Sequence, residues 1–319
     1  MITFQNVSKA YPDGTQAVQQ FNLTVAEGEF FVLIGPSGCG KTTTLKMVNR
    51  LIEPTDGTIE MNGKPISSIN IHELRWNIGY VLQQIALFPN MTVAENISVV
   101  PEMMKWSKEL IEARVNELLE MVGLEPSQFR ERKPSELSGG QQQRIGVARA
   151  LAANPDILLM DEPFSALDPI SREQLQEDII NLKKNIKKTI IFVTHDMDEA
   201  LKLGDRICMM REGKIVQVGT PEELLSSPKD EFVATFIGDR KHTIVDKSTV
   251  NMVMKSIDNV QAEINEQSAI IPITATLDEA FIQLSTSEDT ILYVEDEQQI
   301  VGTVSYKELA QLAVKGGVN

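Results

Sequence analysis

Apolar residues change their spacing several times along this chain, and each change marks an element. Ile2 to Val7 and Phe21 to Val25 alternate apolar with polar residues, as half-buried strands do. Pro12-Asp13-Gly14 between them is a turn signal. Residues 57–66 read as a further hairpin turning at Asn62-Gly63. The runs Phe30–Ile34, Ile157–Met160 and Thr189–Val193 lack polar interruptions, which suits parallel strands covered on both faces. A shorter apolar strand starts at Ile78 and ends at Gln83-Gln84, before a loop that breaks at Pro89. From Thr92 to Gly123 the period becomes helical: Ile111, Val115, Leu118, Leu119 and Val122 share one face, with Ser107 as N-cap and Gly123 as the stop. Met103, Met104 and Trp106 read first as core and second as an adaptable contact surface.

Polar residues cluster where these apolar runs end. After Phe30–Ile34 comes Gly35-Pro36-Ser37-Gly38-Cys39-Gly40-Lys41-Thr42-Thr43, and then a helical segment, Leu45 to Arg50. The glycines let the backbone curl so that its N–H groups point at a β- and γ-phosphate, and the helix N-terminus adds partial positive charge. Lys41 reaches the phosphates and the Thr42 hydroxyl holds Mg²⁺ in such a loop. A tight turn explains the glycines but not the Lys-Thr pair, so the chain reads as a nucleoside triphosphate binder.

Asp161 and Glu162 stand at the carboxyl end of the run from Ile157, where open α/β sheets bind ligands. Asp161 is read as holding Mg²⁺ through water, and Glu162 as polarising the attacking water. His195, just past the run from Thr189, is read as a γ-phosphate contact in preference to a structural residue. Gln83 is either an ordinary strand-end residue or a reach to the metal and its water. Ser138-Gly139-Gly140-Gln141, preceded by Leu137, opens another helix; it is an N-cap or a second anion site. Tyr11 is a strand-end aromatic or an adenine-stacking ring. A unit-charge contact near ~4 Å at an effective dielectric near 20 is worth roughly 4 kcal/mol, so Lys41 and the Mg²⁺ set should dominate binding. Glu162 should govern hydrolysis.

Composition narrows the class. The 319 residues are 42% hydrophobic and 24% charged, ordinary for one or two globular domains. No run of about 18 apolar residues exists to span a bilayer, and residues 1–9 show no signal-peptide pattern. Cys39 and Cys208 are the two cysteines, and one lies in the glycine loop, which argues for free thiols and a reducing cytosol. The net charge of −15 argues against nucleic acid and against direct insertion into or adsorption on anionic lipid.

Five segments in this order resemble an ATP-binding cassette (ABC) ATPase over about residues 1–238. The resemblance implies an α/β fold with a parallel-sheet core, an antiparallel β subdomain and a helical subdomain. It implies ATP and Mg²⁺ as cofactors, Tyr11 as the adenine stacker, Gly35 to Thr43 as the phosphate loop and Gln83 as the lid glutamine. Leu137 to Gln141 become the signature motif, Asp161 and Glu162 the metal and water-activating carboxylates, Asp168 the dimer-contact aspartate and His195 the switch histidine. Two cassettes of the family pair head-to-tail, Ser138 and Gly140 of one closing over the ATP of the other, so a homodimer is expected. Importers of the family add two membrane permease subunits and an extracytoplasmic substrate-binding protein, which places the chain on the cytoplasmic face of the membrane. The insert between Gln83 and Ser138 is then the part that touches the permease.

The cassette pattern stops after Gly238, and residues 239–249 read as a linker. Strand-like runs Thr290–Val294 and Ile300–Val304 flank a turn at Glu295-Asp296-Glu297-Gln298, with helical segments at Leu277–Leu284 and Ser305–Val314. Residues 250–319 resemble a single cystathionine-β-synthase (CBS) motif, a small α/β module, whose usual ending Val301–Leu309 matches; a dimerisation or docking tail is the other reading. Glu308 stands where an Asp commonly contacts a ribose. A cassette with this tail resembles the ATPases of glycine betaine, carnitine or choline importers, with other amino-acid or betaine-like solutes as alternatives. Gly302, Ser305 and Glu308 further raise regulation by cyclic di-adenosine monophosphate. A soluble ABC ATPase acting on DNA or ribosomes is the rival class, and its usual fused cassettes, long coiled coil or basic patches are not seen.

Overall fold

The computed structural model describes residues 1–185, 187–238, 250, 254–256, 269–275, 279–280, 283–284, 291–296 and 299–305. The chain divides into two compact units, residues 1–224 and 225–319.

The first unit holds two sheets. Strands β1 (Ile2–Ala10), β2 (Gln16–Val25), β4 (Asp56–Met61) and β5 (Lys64–Pro65) form an antiparallel sheet in the order β2-β1-β4-β5. Asn62 and Gly63 turn β4 into β5 with both φ angles positive (51° and 74°), the conformation a two-residue hairpin needs. The second sheet runs β10-β9-β3-β8-β7-β6, from strands β3 (Phe30–Ile34), β6 (Ile78–Val81), β7 (Ile157–Asp161), β8 (Thr189–Thr194), β9 (Arg206–Arg211) and β10 (Lys214–Gly219). All its pairings are parallel except β9 with β10. Every residue of β3, β7 and β8 is buried, which is why their sequences carry unbroken apolar runs.

Helix α1 (Lys41–Val48) lies between the sheets, sharing one core with Phe4, Leu23 and Val25 on one side and Phe31, Leu33 and Ile191 on the other. The opposite face of the second sheet centres on Phe192, whose ring lies 5.7 Å from Phe30 and 5.4 Å from Phe164. Such aromatic pairs add about 0.5–1.5 kcal/mol each beyond their burial.

Between β6 and β7 sit α3 (Val93–Met103), α4 (Lys108–Met121), the single turn α5 (Pro126–Phe129) and α6 (Gly139–Leu151); the short α2 (Ile71–Trp76) precedes β6. Helices α3, α4 and α6 pack on one another and α6 on β6. Gly79 makes that last contact possible, since a Cβ there would lie 2.3 Å from the Ala150 carbonyl oxygen. Asn96, fully buried, fixes the preceding loop: it bonds the Phe88 amide (2.8 Å) and the carbonyls of Phe88, Met91 and Thr92. Arg149 holds the same loop from α6, donating to the Ala86 carbonyl at 2.6 Å while its guanidinium lies 5.9 Å from the Phe88 ring.

Two expectations change here. Strand β6 ends at Val81, two residues before Gln83, so the glutamine belongs to the loop. Met103 is 60% exposed, and Met104 and Trp106 are half-buried, because the chain leaves α3 there and Pro101 takes the inward position. The core reading of those three residues is thereby corrected. The unit also includes α7 (Pro169–Asn185) and α8 (Met197–Leu203); α9 (Pro221–Ser226) spans the division, and α10 (Glu231–Ile237) lies in the second unit. No helix among the described residues is long and apolar enough to cross a membrane.

The second unit holds a four-stranded sheet in the order β11-β14-β13-β12, from β11 (Lys255–Ser256), β12 (Ile270–Pro272), β13 (Ile291–Asp296) and β14 (Gln299–Ser305). Its β12–β13 pair is parallel and the others antiparallel. Ile271, Leu292, Val294 and Val304 share its core with Val250, Ala280 and Leu284. Glu295 and Asp296, expected in the turn, belong to β13, where Asp296 pairs with Gln299. The described residues 279–280 and 283–284 are helical; Glu297, Gln298, the rest of 277–284 and the segment after Ser305, Glu308 included, lie outside the described residues.

Gly79→Ala should cost about 1–3 kcal/mol of unfolding free energy by forcing β6 away from α6, measured as a lowered urea midpoint.

Candidate functional site

Parallel register decides what meets at the carboxyl ends of the strands. Ile34 pairs with Thr194, and Val193 pairs with both Leu33 and Asp161. The residues that follow, Gly35, His195 and Glu162, therefore emerge along one sheet edge.

The loop from Gly35 to Gly40 is shaped by close approaches. Gly35, Gly38 and Gly40 have φ angles of 152°, 78° and 104°. A Cβ at Gly35 would lie 2.2 Å from the Met210 carbonyl oxygen, and one at Gly40 would lie 2.3 Å from that of Ala17. The Gly213 amide donates to the Cys39 carbonyl at 3.1 Å, so the β9–β10 turn braces the loop from outside. Cys39 and Cys208 are free and buried, and burial raises both thiols above their ordinary range. Pro36, Ser37 and Gly38 are exposed at the rim. Lys41, only 5% exposed, donates to the carbonyls of Gly35 (2.7 Å) and Pro36 (3.1 Å), lying back along the loop it follows. Thr43 stands beside it, half-buried in the first turn of α1.

The start of α1 differs from that of its neighbours. Asn70, Thr92, Ser107, Ser138 and Asp196 cap α2, α3, α4, α6 and α8 through their side chains. Gly40 is the N-cap of α1 and brings no side-chain cap. Helix-end amides without a cap form an anion site.

Next to it, the Thr42 hydroxyl donates to Asp161 Oδ1 at 2.7 Å, and the Tyr80 phenol to Asp161 Oδ2 at 3.3 Å. Burial, the charge of Asp161 and this hydrogen bond hold the Tyr80 phenol protonated well above its ordinary range. Glu162 follows with φ at +44°, a left-handed conformation that costs a non-glycine residue about 1–3 kcal/mol. Its amide still donates to the Val193 carbonyl at 3.0 Å, so the chain turns sharply while the ladder continues. The Glu162 carboxylate meets His195 Nδ1 at 3.0 Å and the Gln83 side-chain amide at 3.5 Å. Glu162 is mostly buried, and His195 is 57% exposed at the mouth.

Among the described residues, no hydrogen bond joins the other residues singled out by the sequence to this cluster. Ser138 caps α6 in a reciprocal box with Gln141, whose amide it accepts at 3.3 Å. Its hydroxyl hydrogen is not consumed by that bond, so the N-cap reading and an anion-donor reading coexist. Ser138 and Gly139 are exposed; Gly140 is buried, and a Cβ there would sit 3.0 Å from the Ser171 side chain. The hydrogen bonds and close approaches described for this corner run to its own helix and to Ser171, not to the Gly35–Thr43 loop. Asp168 accepts the Ser171 amide at 3.0 Å, and the hydroxyl and amide of Ser171 hold its carboxyl below the ordinary range. Tyr11 sits in the β1–β2 turn with Lys9 Nζ 5.4 Å from its ring centre.

Comparison with known proteins decides the family. A model of the ABC transporter family matches residues 18–165. The chain is 50% identical over 320 aligned residues to the choline transport ATP-binding protein OpuBA of Bacillus subtilis (strain 168), covering all of this chain and 82% of that one. It is 48% identical, at the same coverage, to the glycine betaine/carnitine/choline transport ATP-binding protein OpuCA of that organism. The chain belongs to the ABC transporter ATP-binding family. Among solved structures, the ATP-binding cassette MJ0796, in a dimeric post-hydrolysis state bound to ADP and Pi, is 37% identical with a TM-score of 0.62. That match covers 69% of this chain and 99% of the other.

Use of ATP and Mg²⁺ is general to ABC ATPases, and the residues present fit both. The glycine-built loop leads into the uncapped end of α1, which suits phosphate oxygens. Thr42 and Asp161 are an all-oxygen donor pair of the kind hard cations take. Sequence reasoning missed Tyr80, Thr194 and Glu199. The available signal for Tyr80 was a hydroxyl-bearing ring inside an otherwise apolar strand.

Tyr80→Phe removes one donor from Asp161 and should lower the unfolding free energy by about 0.5–1.5 kcal/mol, read from urea melts of the wild type and the variant.

Proposed function

We propose that two copies of this chain hydrolyse ATP head-to-tail at the cytoplasmic face of the membrane and so energise uptake of a quaternary-amine osmoprotectant of the glycine betaine, carnitine or choline type. The observation that carries the reading is the contact of Glu162 with both His195 and Gln83, one residue away from the Thr42–Asp161 pair. The names and full-chain similarity of the OpuBA and OpuCA relatives support the solute class.

In this reading the loop amides and Lys41 bind the phosphates, and Tyr11 stacks on the adenine. Thr42, Asp161 and Gln83 hold Mg²⁺, which when bound neutralises phosphate charge. Glu162 accepts a proton from the attacking water. His195, held at 3.0 Å, orients the Glu162 carboxylate and faces the γ-phosphate. Ser138, Gly139, Gly140 and Gln141 make their described contacts to their own helix and to Ser171, and the family's head-to-tail pairing gives them the ATP of the second copy. Asp168 then meets that copy directly. The arrangement calls for two permease subunits, contacted through the insert between Gln83 and Ser138, and an extracytoplasmic binding protein to deliver the solute.

The second unit is assigned as a single CBS-type module that regulates uptake. Gly302, at which a Cβ would lie 2.7 Å from the Lys255 carbonyl oxygen, sits mid-strand in β14, and Ser305 ends that strand. Their position before Glu308 supports an adenine dinucleotide such as cyclic di-adenosine monophosphate as ligand.

Glu162→Gln should bind ATP with little change, accumulate as a dimer on gel filtration with ATP, and lose turnover by about 10²–10⁴-fold; undiminished phosphate release would remove Glu162 from its role. Affinity purification from membranes should recover a permease, whereas recovery of nucleic acid would replace the transport reading. Calorimetric titration of the full chain with cyclic di-adenosine monophosphate should give saturable heat, and a flat trace would leave the second unit without that ligand.

A further inference from the structure

Behind Glu162 and His195 lies a cavity of about 50 Å³, large enough for ordered water. Arg172 of α7 forms one wall, and the turn from Thr194 to Glu199 forms the other. Glu199 is 6% exposed and Thr194 2%. The Thr194 hydroxyl donates to Glu199 Oε2 and accepts the Asp196 amide at 3.0 Å. Asp196 Oδ1 in turn accepts the amides of Asp198 (2.8 Å) and Glu199 (3.4 Å). Thr194, Asp196 and Glu199 thereby fix the turn that carries His195. On the other wall, Arg172 Nη2 donates to the Leu167 carbonyl at 3.2 Å, next to Asp168, while its Nε is buried with no hydrogen-bond partner among the described residues. Arg172 and Glu199 thus line one small polar space from the two segments that flank Glu162.

We propose that Glu199 is a positioning residue for ATP hydrolysis: its carboxylate, facing Arg172 across this cavity, draws the Leu167–Asp168 segment and the His195 turn together, and does so only while ionised. The inference rests on the hydrolytic reading of Glu162 and His195 given above. The remaining surroundings of Glu199 do not supply a substitute charge. Strands β3 and β8, which pack on α8, carry no titratable side chain; α7, which also packs on α8, brings besides Arg172 the acidic Glu173, Glu177 and Asp178, and Asp196 and Glu162 are themselves acidic. His195 and Lys202 are the other nearby basic groups, and they are engaged by Glu162 and Glu177. Burial pushes the Glu199 carboxyl up to about 7, against the hydrogen bond from Thr194 and the charges of Arg172 and His195, which pull it down; the nearby Asp196 adds to the rise. The group therefore ionises as pH rises through neutrality, and the tie to Arg172 forms in the same interval.

Steady-state ATP hydrolysis by the purified full chain between pH 6 and pH 8.5 tests this. Glu199→Gln keeps the shape and the Thr194 hydrogen bond but stays neutral throughout. Its kcat should match the wild type within about twofold at pH 6 and fall about tenfold below it at pH 8, with KM for ATP within about twofold at both. Arg172→Gln should lower kcat at pH 8 to the same degree and remove the same rise with pH. Thermal melts at each pH separate loss of fold from loss of positioning. A wild-type to Glu199→Gln ratio that stays constant with pH, or a loss confined to KM, overturns the proposal. The hydrolytic reading fails separately: it falls if the wild type does not turn over or if Glu162→Gln hydrolyses normally, whatever Glu199→Gln does.

Discussion

Ile34 is held opposite Thr194, and Val193 lies between Leu33 and Asp161, so three strands finish at nearly the same level. Had β8 slipped by one residue against β3, His195 would emerge on the opposite face of the sheet from the one it now serves. Close packing on both faces resists the slip, because each of these strands is enclosed along its whole length and a shifted set of side chains would not fit the same neighbours. The placement of the polar residues at the sheet edge is thus set by the apolar residues that precede them.

At that edge the backbone is held in conformations that local preference disfavours. Three loop glycines take positive φ angles and Glu162 joins them without the excuse of lacking a side chain. The surrounding structure over-determines these positions: Met210, Ala17 and Gly213 close around the loop, and Val193 holds the Glu162 amide. The start of α1 is likewise finished by no side chain of its own, whereas Thr92 and Ser138 finish theirs. Local incompleteness falls where the phosphates are proposed to bind, and the rest of the cassette supplies the rigidity around it.

Much of this was legible in the sequence, for identifiable reasons. Fully enclosed strands need unbroken apolar runs, so their ends, and the polar residues just beyond them, could be located without a structure. Lys41, Asp161, Glu162 and His195 were placed at one edge on that ground. Residues whose position depends on a distant partner were not legible. Nothing local to Tyr80 announces Asp161, and nothing local to Glu199 announces a cavity shared with Arg172. The pattern around Met103 to Trp106 misled because helical periodicity continues in the letters after the helix itself has ended at Met103. In the second unit two strand-like runs marked β13 and β14 while the short β11 and β12 were not read, and the turn proved shorter because Glu295 and Asp296 extend the ladder.

The segment from Gln83 to Thr92 is fastened at both ends and in the middle. Gln83 touches Glu162, Arg149 grips Ala86 and Phe88, and Asn96 locks Phe88 through Thr92 onto α3. A peptide anchored so densely has little slack to absorb a displacement. A displacement of α3 or α6 would therefore be carried along these fastenings toward Gln83 and the carboxylate it touches. Distance along this stretch, more than its composition, is then what the molecule has to conserve, and a single inserted residue would fold outward and uncouple its two ends.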